Sequence, residues 1–593
     1  MSQATGKPTG RHIGQIFFQR ASELGPRTFV KLQKGERFEE ISWQEFAALV
    51  QKIALGLIAL GLSPGDTIAI IGENSLEWLA ADLATLSVGF TNVVISPALS
   101  DAMCLKILGH AGCRAVFVQD TAGVGRLLNL KGQLPGLSNI IAMDGTDADL
   151  PSTLSFSELV ERGRQVNASR FTSLIEAVHP SDLATIMYTS GSTGEPKGVM
   201  RTQDNLLANI TNGGAIVVSG AEDVAVNILS LNHLFGRFGF LKSAVIGRTT
   251  ALIDALETKV DLAVIGRLAP TGLAVVPRVM EGIWRSLLML DSNQQLWKDL
   301  EILDRKKSSL GLDDSEARRF DELRATLRVS TRQSLGGRIK YIAYGGAAMP
   351  PRIMRFFELI GIPLIGSFGS TECGGVTLCG IGENRPGNLG KPFANVEIRI
   401  AEDGEILVRG PTVSPGYFKN PQATREAFDD EGWFYTGDLG LLESDGSLRV
   451  TGRKKDVFNC SDGSNIYPGF IELRLENETF ISQAVLLGDQ RPFIAALVVA
   501  DRRRIAAALE SDIANLTDDQ IERALWSQIA RVNAGLESHE QIRKIIVLGD
   551  EFPVEVRAVN VFQKIKVDRK IVAERYQNEI EAIYASAPEG DGH

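Results

Sequence analysis

The first third of the chain alternates amphipathic helical segments with short segments that are apolar throughout. Ser42 and Glu45 form an S-x-x-E pattern ahead of an apolar helical stripe reaching about Leu60, which predicts a helix with a capping box. Asn74 and Glu77 predict a second capped helix before LEWLAADLATLSVG. The segments TIAIIG, NVVIS and AVFVQ are typical of buried strands. This alternation predicts an α/β domain on a largely parallel sheet.

The pattern changes twice further along the chain. Residues 297–337 are rich in charge and in helix formers, which indicates a solvated helical hairpin, with a partner-binding arm as the alternative. After Pro386, short alternating segments separated by Asp-Gly turns predict a small β-rich subdomain. We expect a large domain over 1–452, a charged hinge at 453–455 and a small α+β domain over 456–593.

Composition narrows the class of protein. The 593 residues exceed one hydrophobic core, and 44% are apolar, as in ordinary globular proteins. The net charge of −10 argues against a general nucleic-acid binder. Five cysteines without C-x-x-C spacing, an N-terminal segment without an apolar signal core, and six histidines without metal-ligand spacing predict a cytoplasmic protein with reduced thiols and no transition-metal site.

A glycine-rich segment, YTSGSTGEPKGVM, occupies positions 188–200 between a strand-like and a helix-like run. Amides and hydroxyls after a strand can surround phosphate oxygens, and Lys197 adds a positive charge. The spacing differs from the Walker pattern, and a flexible surface turn is the alternative.

The full string resembles the phosphate-binding signature of the adenylate-forming superfamily, which includes acyl-CoA synthetases, luciferases and the adenylation domains of peptide synthetases. The resemblance extends over about residues 14–580. It implies stacked mixed and parallel sheets in the large domain and a mobile small domain. It also implies ATP contacts from one run of residues: Thr189, Ser190, Gly191, Ser192, Thr193, Gly194 and Lys197.

Two further segments resemble the family's adenine-binding and magnesium-binding motifs. In IGSFGSTECGG, the resemblance implies that Phe368 stacks on adenine and that Thr371 and Glu372 are catalytic and hold Mg²⁺. A helix N-cap is the alternative for Thr371-Glu372. Phe368 stands where the family usually has tyrosine. The remaining implied ATP contacts of these motifs are Gly369 and Ser370, and, in YGGAAMP, Gly346 and Ala347.

Asp438 in WFYTGDLG and Arg453 in GRKKDV match the family's ribose-binding positions, and Lys455 matches its hinge; local capping and a solvated charge run are the alternatives. His233 and Phe235 in LNHLFGRFG match the motif that lines the acyl pocket, although a histidine in an apolar stretch is often a core residue.

The resemblance also implies a catalytic lysine near the C-terminus, in FQKIKVDRKIVAERY. Lys566 is followed by Val567, Asp568 and Arg569, which fits the family spacing, whereas Lys564 has Val567 at the position of the basic residue. A lysine there can bridge the attacking carboxylate and the α-phosphate.

Several stretches look most like bacterial long-chain acyl-CoA synthetases, among them RPGNLGKPFANVEIRI and GPTVSPGYFKNPQATREAF. This implies ATP and Mg²⁺ as cofactors, formation of an acyl-adenylate, and transfer of the acyl group to coenzyme A. In the hinge-following loop, Asp462 and Ser464 replace the usual Gly and Glu, which leaves an amine or a carrier-protein thiol open as acceptor. A non-catalytic acyl- or nucleotide-binding regulator is a further alternative.

The sequence leaves three properties of the protein open. Neither the chain length of the acid nor its aryl or aliphatic nature can be deduced. The amphipathic segment RHIGQIFFQRASELG allows peripheral membrane contact, although such stripes more often face a core. A homodimer is also open.

Overall fold

The computed structural model describes residues 10–145, 153–190, 195–212, 220–253, 261–290, 293–385, 387–462, 464–476, 478–549, 552 and 569–585. The helices within these ranges are α1 Ile13–Leu24, α2 Trp43–Ala59, α3 Leu76–Ser87, α4 Asp101–Ala111, α5 Thr121–Lys131, α6 Phe156–Arg164, α7 Ala168–Ala177, α8 Gln203–Asn212, α9 Leu234–Ile246, α10 Leu262–Leu268, α11 Pro277–Leu288, α12 Asn293–Ser309, α13 Asp314–Ser334, α14 Pro351–Leu359, α15 Pro421–Ala427, α16 Pro468–Glu476, α17 Arg502–Ala508, α18 Asp518–Asn533, α19 Arg569–Arg575 and α20 Gln577–Ala585.

The strands are β1 Thr28–Lys34, β2 Arg37–Ser42, β3 Thr67–Ile71, β4 Thr91–Ile95, β5 Ala115–Val118, β6 Asn139–Ala142, β7 Thr153–Ser155, β8 Leu183–Ser190, β9 Pro196–Thr202, β10 Val224–Asn227, β11 Thr249–Leu252, β12 Gly272–Val275, β13 Tyr341–Tyr344, β14 Leu364–Ser370, β15 Gly374–Leu378, β16 Lys391–Pro392, β17 Glu397–Ile400, β18 Glu405–Arg409, β19 Phe434–Leu442, β20 Leu448–Arg453, β21 Phe458–Asn459, β22 Asn465–Ile466, β23 Ile481–Leu487, β24 Ile494–Ala500 and β25 Ile542–Leu548.

Two large sheets form the N-terminal part of the protein. The first has seven strands in the order β7-β6-β5-β3-β4-β8-β9, all neighbours being parallel except the antiparallel pair β8–β9. The second has nine strands in the order β16-β15-β14-β13-β12-β10-β11-β1-β2, parallel from β14 to β1 and antiparallel at both ends. The predicted α/β class is confirmed, because the continuously apolar segments are the central strands β3, β4 and β5.

A buried ion pair joins the two sheet layers. Arg237 on α9 bonds through Nε and Nη2 to the carboxylate of Asp82 on α3, at 3.1 and 2.5 Å. The same guanidinium donates to Asn92 Oδ1 on β4 at 3.0 Å and to Thr185 Oγ1 on β8 at 2.9 Å. Neither Arg237 nor Asp82 has any exposed side-chain surface. Because α9 connects β10 to β11, the pair fixes a helix of the nine-stranded sheet onto the seven-stranded one.

Three smaller units follow the large sheets. Strands β17–β20 form a four-stranded antiparallel sheet, which confirms the predicted β-rich subdomain. Beyond a short 3₁₀ turn, β21–β22 and β23–β24–β25 build the C-terminal α+β part.

The charged segment before β13 folds as the antiparallel pair α12 and α13, so the prediction of a helical hairpin is confirmed.

The capping predictions in the first third are half right. Ser42 accepts the amide of Glu45, and the Glu45 carboxylate accepts the amide of Ser42, as expected. The cap of α3 is wrong: Ser75, not Asn74, accepts the amide of Trp78. Asn74 instead donates to the carbonyl of Leu229 at 3.0 Å and accepts the amide of Leu231 at 2.8 Å. The Asn74 side chain therefore bonds to a segment that is 155 residues away in the sequence, and it does not cap the helix as the local pattern predicted.

The amphipathic N-terminal stripe faces the core. Ile13, Ile16 and Phe17 on α1 are at most 1% exposed, and Phe17 packs against Phe29 and Trp43. The idea that this stripe contacts a membrane is therefore wrong. Within the described ranges, no helix is both long and apolar enough to cross a bilayer. All five cysteines are buried and unpaired.

Candidate active site

The glycine-rich segment connects two antiparallel strands at the edge of the seven-stranded sheet. Thr189 on β8 pairs with Lys197 on β9, and Ser190 pairs with Pro196. The hairpin therefore holds Lys197 beside the start of the loop. Gly191, Ser192, Thr193 and Gly194 lie outside the described residues, so their proposed phosphate contacts stay predictions.

Lys197 is connected to Glu372 through an aromatic side chain. The Lys197 ammonium lies 5.1 Å from the centroid of the Tyr417 ring. The Tyr417 hydroxyl donates to Glu372 Oε1 at 3.2 Å. Burial and the nearby charge of Glu372 raise the pKa of Tyr417, so the phenol keeps its proton and is the donor. The structure thus brings together the two charged groups that the sequence predicts for phosphate and metal binding.

Thr371 and Glu372 lie in a tight turn between β14 and β15, so the alternative of a helix N-cap is wrong. Ser370 Oγ accepts the amides of Glu372 and Cys373 at 3.1 and 3.3 Å and donates to Glu372 Oε2 at 3.1 Å. Gly369 allows the turn to close, because a Cβ there would lie 2.1 Å from the carbonyl oxygen of Gly374. The turn therefore orients the Glu372 carboxylate by backbone and hydroxyl contacts.

Arg201 is a site-organising residue that sequence reasoning missed. Its guanidinium has no exposed surface and donates to the carbonyl of Thr371 at 2.7 Å and to that of Thr412. Burial lowers the pKa of Arg201 to about 10, which leaves it charged near neutrality. The available signal was strand parity, since Arg201 shares the face of β9 that carries Lys197 and the buried Val199.

The predicted adenine contacts lie at neighbouring strand ends. Gly346 follows β13 with φ of +78°, a conformation that favours glycine, and Ala347 comes next in the same loop. Phe368 on β14 is only 7% exposed and packs in an apolar cluster with Val376 and Phe393. A packing role for Phe368 is thus observed, while its stacking on adenine stays a prediction.

The two predicted ribose contacts form an ion pair. Asp438 on β19 is the register partner of Arg453 on β20, and Arg453 Nε lies 3.1 Å from Asp438 Oδ1. The Asp438 side chain is 15% exposed and that of Arg453 is 50% exposed, so both are accessible from solvent. The Asp438 carboxylate is therefore paired with a side chain on the neighbouring strand, and the Asp438 amide donates to Thr436 Oγ1 at 3.1 Å.

The hinge segment forms a 3₁₀ turn over Lys454–Asp456. Lys454 bonds Asp403 at 2.6 Å and Glu405 at 2.8 Å, which anchors the turn to the β-rich subdomain. These two hydrogen bonds raise the pKa of Lys454. Lys455, the predicted hinge residue, is exposed in the same turn. Hence the charge run is not uniformly solvated, because Lys454 is engaged by two carboxylates.

His233 and Phe235 lie at the start of α9, and their contact with an acyl group stays a prediction. His233 precedes the helix, and burial lowers its pKa to about 4, so the imidazole is neutral near pH 7. It lines a cavity with Tyr188, Asn232 and the apolar side chain of Ile95. The Phe235 ring lies beside Gly345, where an added Cβ would be 3.8 Å from the ring.

The C-terminal predictions are only partly within the described residues. Lys564 and Lys566 lie outside them, so the choice between these lysines stays a prediction. Arg569, the basic residue of the same motif, donates to the carbonyl of Leu486 at 3.0 Å and pairs with Glu472. Asp462 in the altered loop accepts the amide of Ser464 at 2.8 Å. The substituted aspartate therefore caps a local turn.

The donors at the Thr371–Glu372 turn fit a magnesium ion that arrives with nucleotide phosphates. Carboxylate and hydroxyl oxygens are suitable ligands for this hard cation, which protein sites commonly hold by one or two carboxylates together with phosphates and water. Within the described ranges, no group of three or more His, Cys, Asp or Glu side chains could hold a metal by itself. Glu372, with Thr371 beside it, is thus suited to a shared metal rather than to a protein-only site.

Comparisons with known proteins cover nearly the whole chain. Residues 17–418 match the family described as AMP-binding enzyme, and residues 455–588 match the AMP-binding enzyme C-terminal domain. A long-chain-fatty-acid–CoA ligase named FadD15 from Mycobacterium tuberculosis is 32% identical over 574 residues, covering 92% of each chain. The peroxisomal long chain acyl-CoA synthetase 6 of Arabidopsis thaliana is 28% identical, covering 95% of this chain and 85% of that protein.

Solved structures share the fold at lower identity. The anthranilate CoA ligase AuaEII in complex with anthranoyl-AMP superposes with a TM-score of 0.74 at 18% identity, covering 96% of this chain and 98% of that one. A fatty acyl CoA synthetase of Mycobacterium tuberculosis gives a TM-score of 0.64 at 21% identity, covering 96% and 99%. At these identities the likeness shows the fold alone.

Proposed function

This chain belongs to the AMP-binding enzyme family, and we propose that it is an AMP-forming acyl-CoA synthetase that acts on fatty acids. The proposal rests on one observation above all: Lys197 and Glu372, from different sheets, are joined through Tyr417 at 5.1 and 3.2 Å. A half-buried ammonium and a carboxylate that are both held by one aromatic side chain suit a triphosphate with a bound cation. Fatty acids and CoA are favoured because relatives that cover most of the chain are named for them.

The reaction has two half-reactions. In the first, a carboxylate oxygen attacks the α-phosphorus of ATP, the bond from that phosphorus to the bridging oxygen breaks, and pyrophosphate leaves. In the second, the CoA thiolate attacks the acyl carbon and AMP leaves with the bonding electrons. Forming a mixed anhydride divides one difficult acylation into two easier displacements.

The residues of the large domain hold the nucleotide in this scheme. Lys197, Thr189 and the loop after it contact the β- and γ-phosphates. Asp438 accepts hydrogen bonds from the ribose hydroxyls, and Arg453, which is its ion-pair partner at 3.1 Å, lies beside it. Glu372 and Thr371 would hold Mg²⁺, which supplies neutralisation of phosphate charge when bound.

The acyl group lies toward the first turn of α9. His233 is neutral near pH 7, because burial lowers its pKa to about 4, so it can accept or donate a hydrogen bond without attracting the carboxylate as a cation would. Phe235 offers an apolar face to the acyl chain of the substrate. Arg237, which lies in the first turn of α9 and pairs with Asp82, fixes the start of the helix that carries Phe235 and follows His233.

The small domain supplies the remaining groups. We place the boundary at 453–455, where β20 ends and the 3₁₀ turn begins, and where the C-terminal family match starts at 455. Lys566 would bridge the attacking carboxylate and the α-phosphate during adenylation. Rotation about Lys455 would then withdraw Lys566 and admit CoA. We place the enzyme in the cytoplasm, since its cysteines are unpaired.

A screen of pyrophosphate release over fatty acids of graded length and over aryl acids tests the proposal. Reactions are run with CoA, with pantetheine and with a carrier protein, and AMP and thioester are measured together. We expect equal amounts of AMP and acyl-CoA with long-chain acids and CoA. Adenylate formation without thioester would favour another acceptor. No pyrophosphate release with any acid would favour a non-catalytic binding protein and contradict the proposal.

A further inference from the structure

Tyr417 lies between two charged groups of the site, and no sequence motif predicted this role for it. Its ring faces the Lys197 ammonium at 5.1 Å, and its hydroxyl donates to Glu372 at 3.2 Å. The three side chains come from positions 197, 372 and 417, so the contact exists only in the folded chain. An aromatic face attracts a cation, while a phenol hydroxyl donates to a carboxylate. One side chain can therefore orient both charges at once.

The Tyr417 ring is held firmly enough to act as an orienting group. It is 7% exposed, packs with Val199 and Ala423, and lies 6.0 Å from the Phe428 ring. Val199 also forms a backbone bridge with Tyr417 itself. Because ring and backbone are both fixed to β9, the ring keeps a constant position relative to Lys197.

The position of Glu372 is fixed less completely without this hydroxyl. Its Oε2 accepts Ser370 Oγ at 3.1 Å, while Oε1 accepts Tyr417. Two donors on the two oxygens define the plane of the carboxylate, whereas one donor leaves it free to rotate. Partners of metal-binding carboxylates commonly change metal affinity by about 10- to 100-fold when they are removed.

We infer that Tyr417 is a positioning residue that sets the metal affinity of the site through its hydroxyl and the nucleotide affinity through its ring. This inference rests on the proposed function, because it requires that Glu372 binds the cation and Lys197 the phosphates. The effect of the hydroxyl on metal affinity and the effect of the ring on nucleotide affinity can be separated by mutation. Tyr417→Phe removes the hydroxyl bond and keeps the aromatic face, whereas Tyr417→Leu removes both.

The test measures binding directly and needs no turnover. Mn²⁺ bound to the full-length protein is measured by electron paramagnetic resonance with a non-hydrolysable ATP analogue present. Binding of the metal-free analogue is measured separately by calorimetry. Tyr584→Phe is the matched control, because that buried tyrosine also donates from its hydroxyl, to the carbonyl of Phe493 at 3.3 Å.

We expect Tyr417→Phe to weaken Mn²⁺ binding about 10-fold and to leave binding of the metal-free analogue within about twofold of wild type. Tyr417→Leu should weaken both, and Tyr584→Phe neither. In a Glu372→Gln background, Tyr417→Phe should have no further effect on Mn²⁺, because its partner carboxylate is already gone.

Two results would overturn the inference while leaving the proposed function intact. One is wild-type Mn²⁺ affinity in Tyr417→Phe. The other is an equal loss of metal and nucleotide binding in Tyr417→Phe with a lowered melting temperature, which would show a general structural role. If the wild-type protein binds neither the analogue nor Mn²⁺ with it, the proposed function and the inference both fail.

Discussion

Replacement of Arg237 by methionine provides a severe test of how the first turn of α9 is held in place. Arg237 and Asp82 are fully buried, and four hydrogen bonds connect the guanidinium to Asp82, Asn92 and Thr185. Methionine has a similar apolar stem but neither charge nor donors. The substitution therefore leaves the Asp82 carboxylate in the interior with Asn92 Nδ2 at 2.7 Å as its remaining side-chain donor from this network.

The magnitude follows from the uncompensated charge. Removing one partner of a buried ion pair costs about 3–5 kcal/mol, which is a large part of the roughly 5–15 kcal/mol of a typical domain. Arg164→Met removes an ion pair on α6 whose two side chains are each 56% exposed. Screening by solvent limits that loss to less than about 1 kcal/mol. The two variants should thus differ clearly although each removes one arginine.

The pH dependence has a defined sign. Burial raises the pKa of Asp82 and Arg237 opposes this rise, so the variant should have a still higher Asp82 pKa than wild type. Between the unfolded pKa of about 3.9 and this raised value, the folded variant binds more protons than the unfolded chain. Its stability therefore falls as the pH increases through that interval. The deficit of Arg237→Met relative to wild type should be smaller at acidic pH than at pH 8.

Urea unfolding of the full-length chain measures the effect, followed by tryptophan fluorescence and by circular dichroism. Trp43 and Trp78 are buried in the same core and are two of the six tryptophans that contribute to the signal. Coincidence of the two signals justifies a two-state analysis. A double variant, Arg237→Met with Asp82→Asn, should recover part of the loss because the buried charge is gone. A deficit within about 1 kcal/mol of that of Arg164→Met would refute the reasoning.

Four further predictions concern the site. Lys197→Ala should raise the KM for ATP and leave the melting temperature nearly unchanged, because among the described residues its side chain contacts the Tyr417 ring and forms no ion pair. Steady-state kinetics measures the KM, and calorimetry measures the melting temperature. Lys566→Ala should abolish pyrophosphate release yet retain thioester formation from supplied acyl-adenylate, and equal loss of both would favour Lys564. Asp438→Ala should raise the KM for ATP by about 10- to 100-fold, as expected for loss of hydrogen bonds to a charged group, and 2′-deoxy-ATP should then be used as poorly as ATP. Asp462→Gly should lower the melting temperature through loss of the turn bond to Ser464 while the KM for CoA stays within about twofold, the range of a residue that only caps a turn.

The fold was predictable wherever a local pattern has one physical explanation. Continuously apolar segments became the central parallel strands, and the Ser42–Glu45 pattern became a capping box. The cap predicted at Asn74 was wrong because its side-chain amide bonds to the backbone of Leu229 and Leu231, and no local pattern reveals these partners. Tertiary hydrogen bonds compete with local ones for the same polar side chain, so capping predictions are most reliable where the neighbouring chain is exposed.

The residues of the candidate site were likewise predictable only where the pattern is local. The glycine-rich and acidic motifs could be recognised because each function needs particular residue types at short spacing. The roles of Arg201 and Tyr417 could not be predicted, because their partners Thr371 and Glu372 are 170 and 45 residues away in the sequence. A buried arginine on a strand is nevertheless a signal, since a full charge in the interior requires a polar partner. Because Arg201 and Val199 are two residues apart on one strand, they share a face, which would have indicated that Arg201 points inward but not which residues it contacts.

Backbone hydrogen bonds, rather than the charged side chains themselves, set the separation between Lys197 on β9 and the Thr371–Glu372 turn. Segment 411–418 bonds to β9 through Met200 N to Gly416 O at 3.1 Å and Phe418 N to Gly198 O at 2.7 Å. Within that segment, the amide of Ser414 donates to the carbonyl of Glu372 at 2.8 Å. Lys197 on one sheet and Glu372 on the other are therefore positioned before any nucleotide binds. Charges that are already in place need little reorganisation as phosphate charge develops, which is the condition under which such groups stabilise a transition state most effectively.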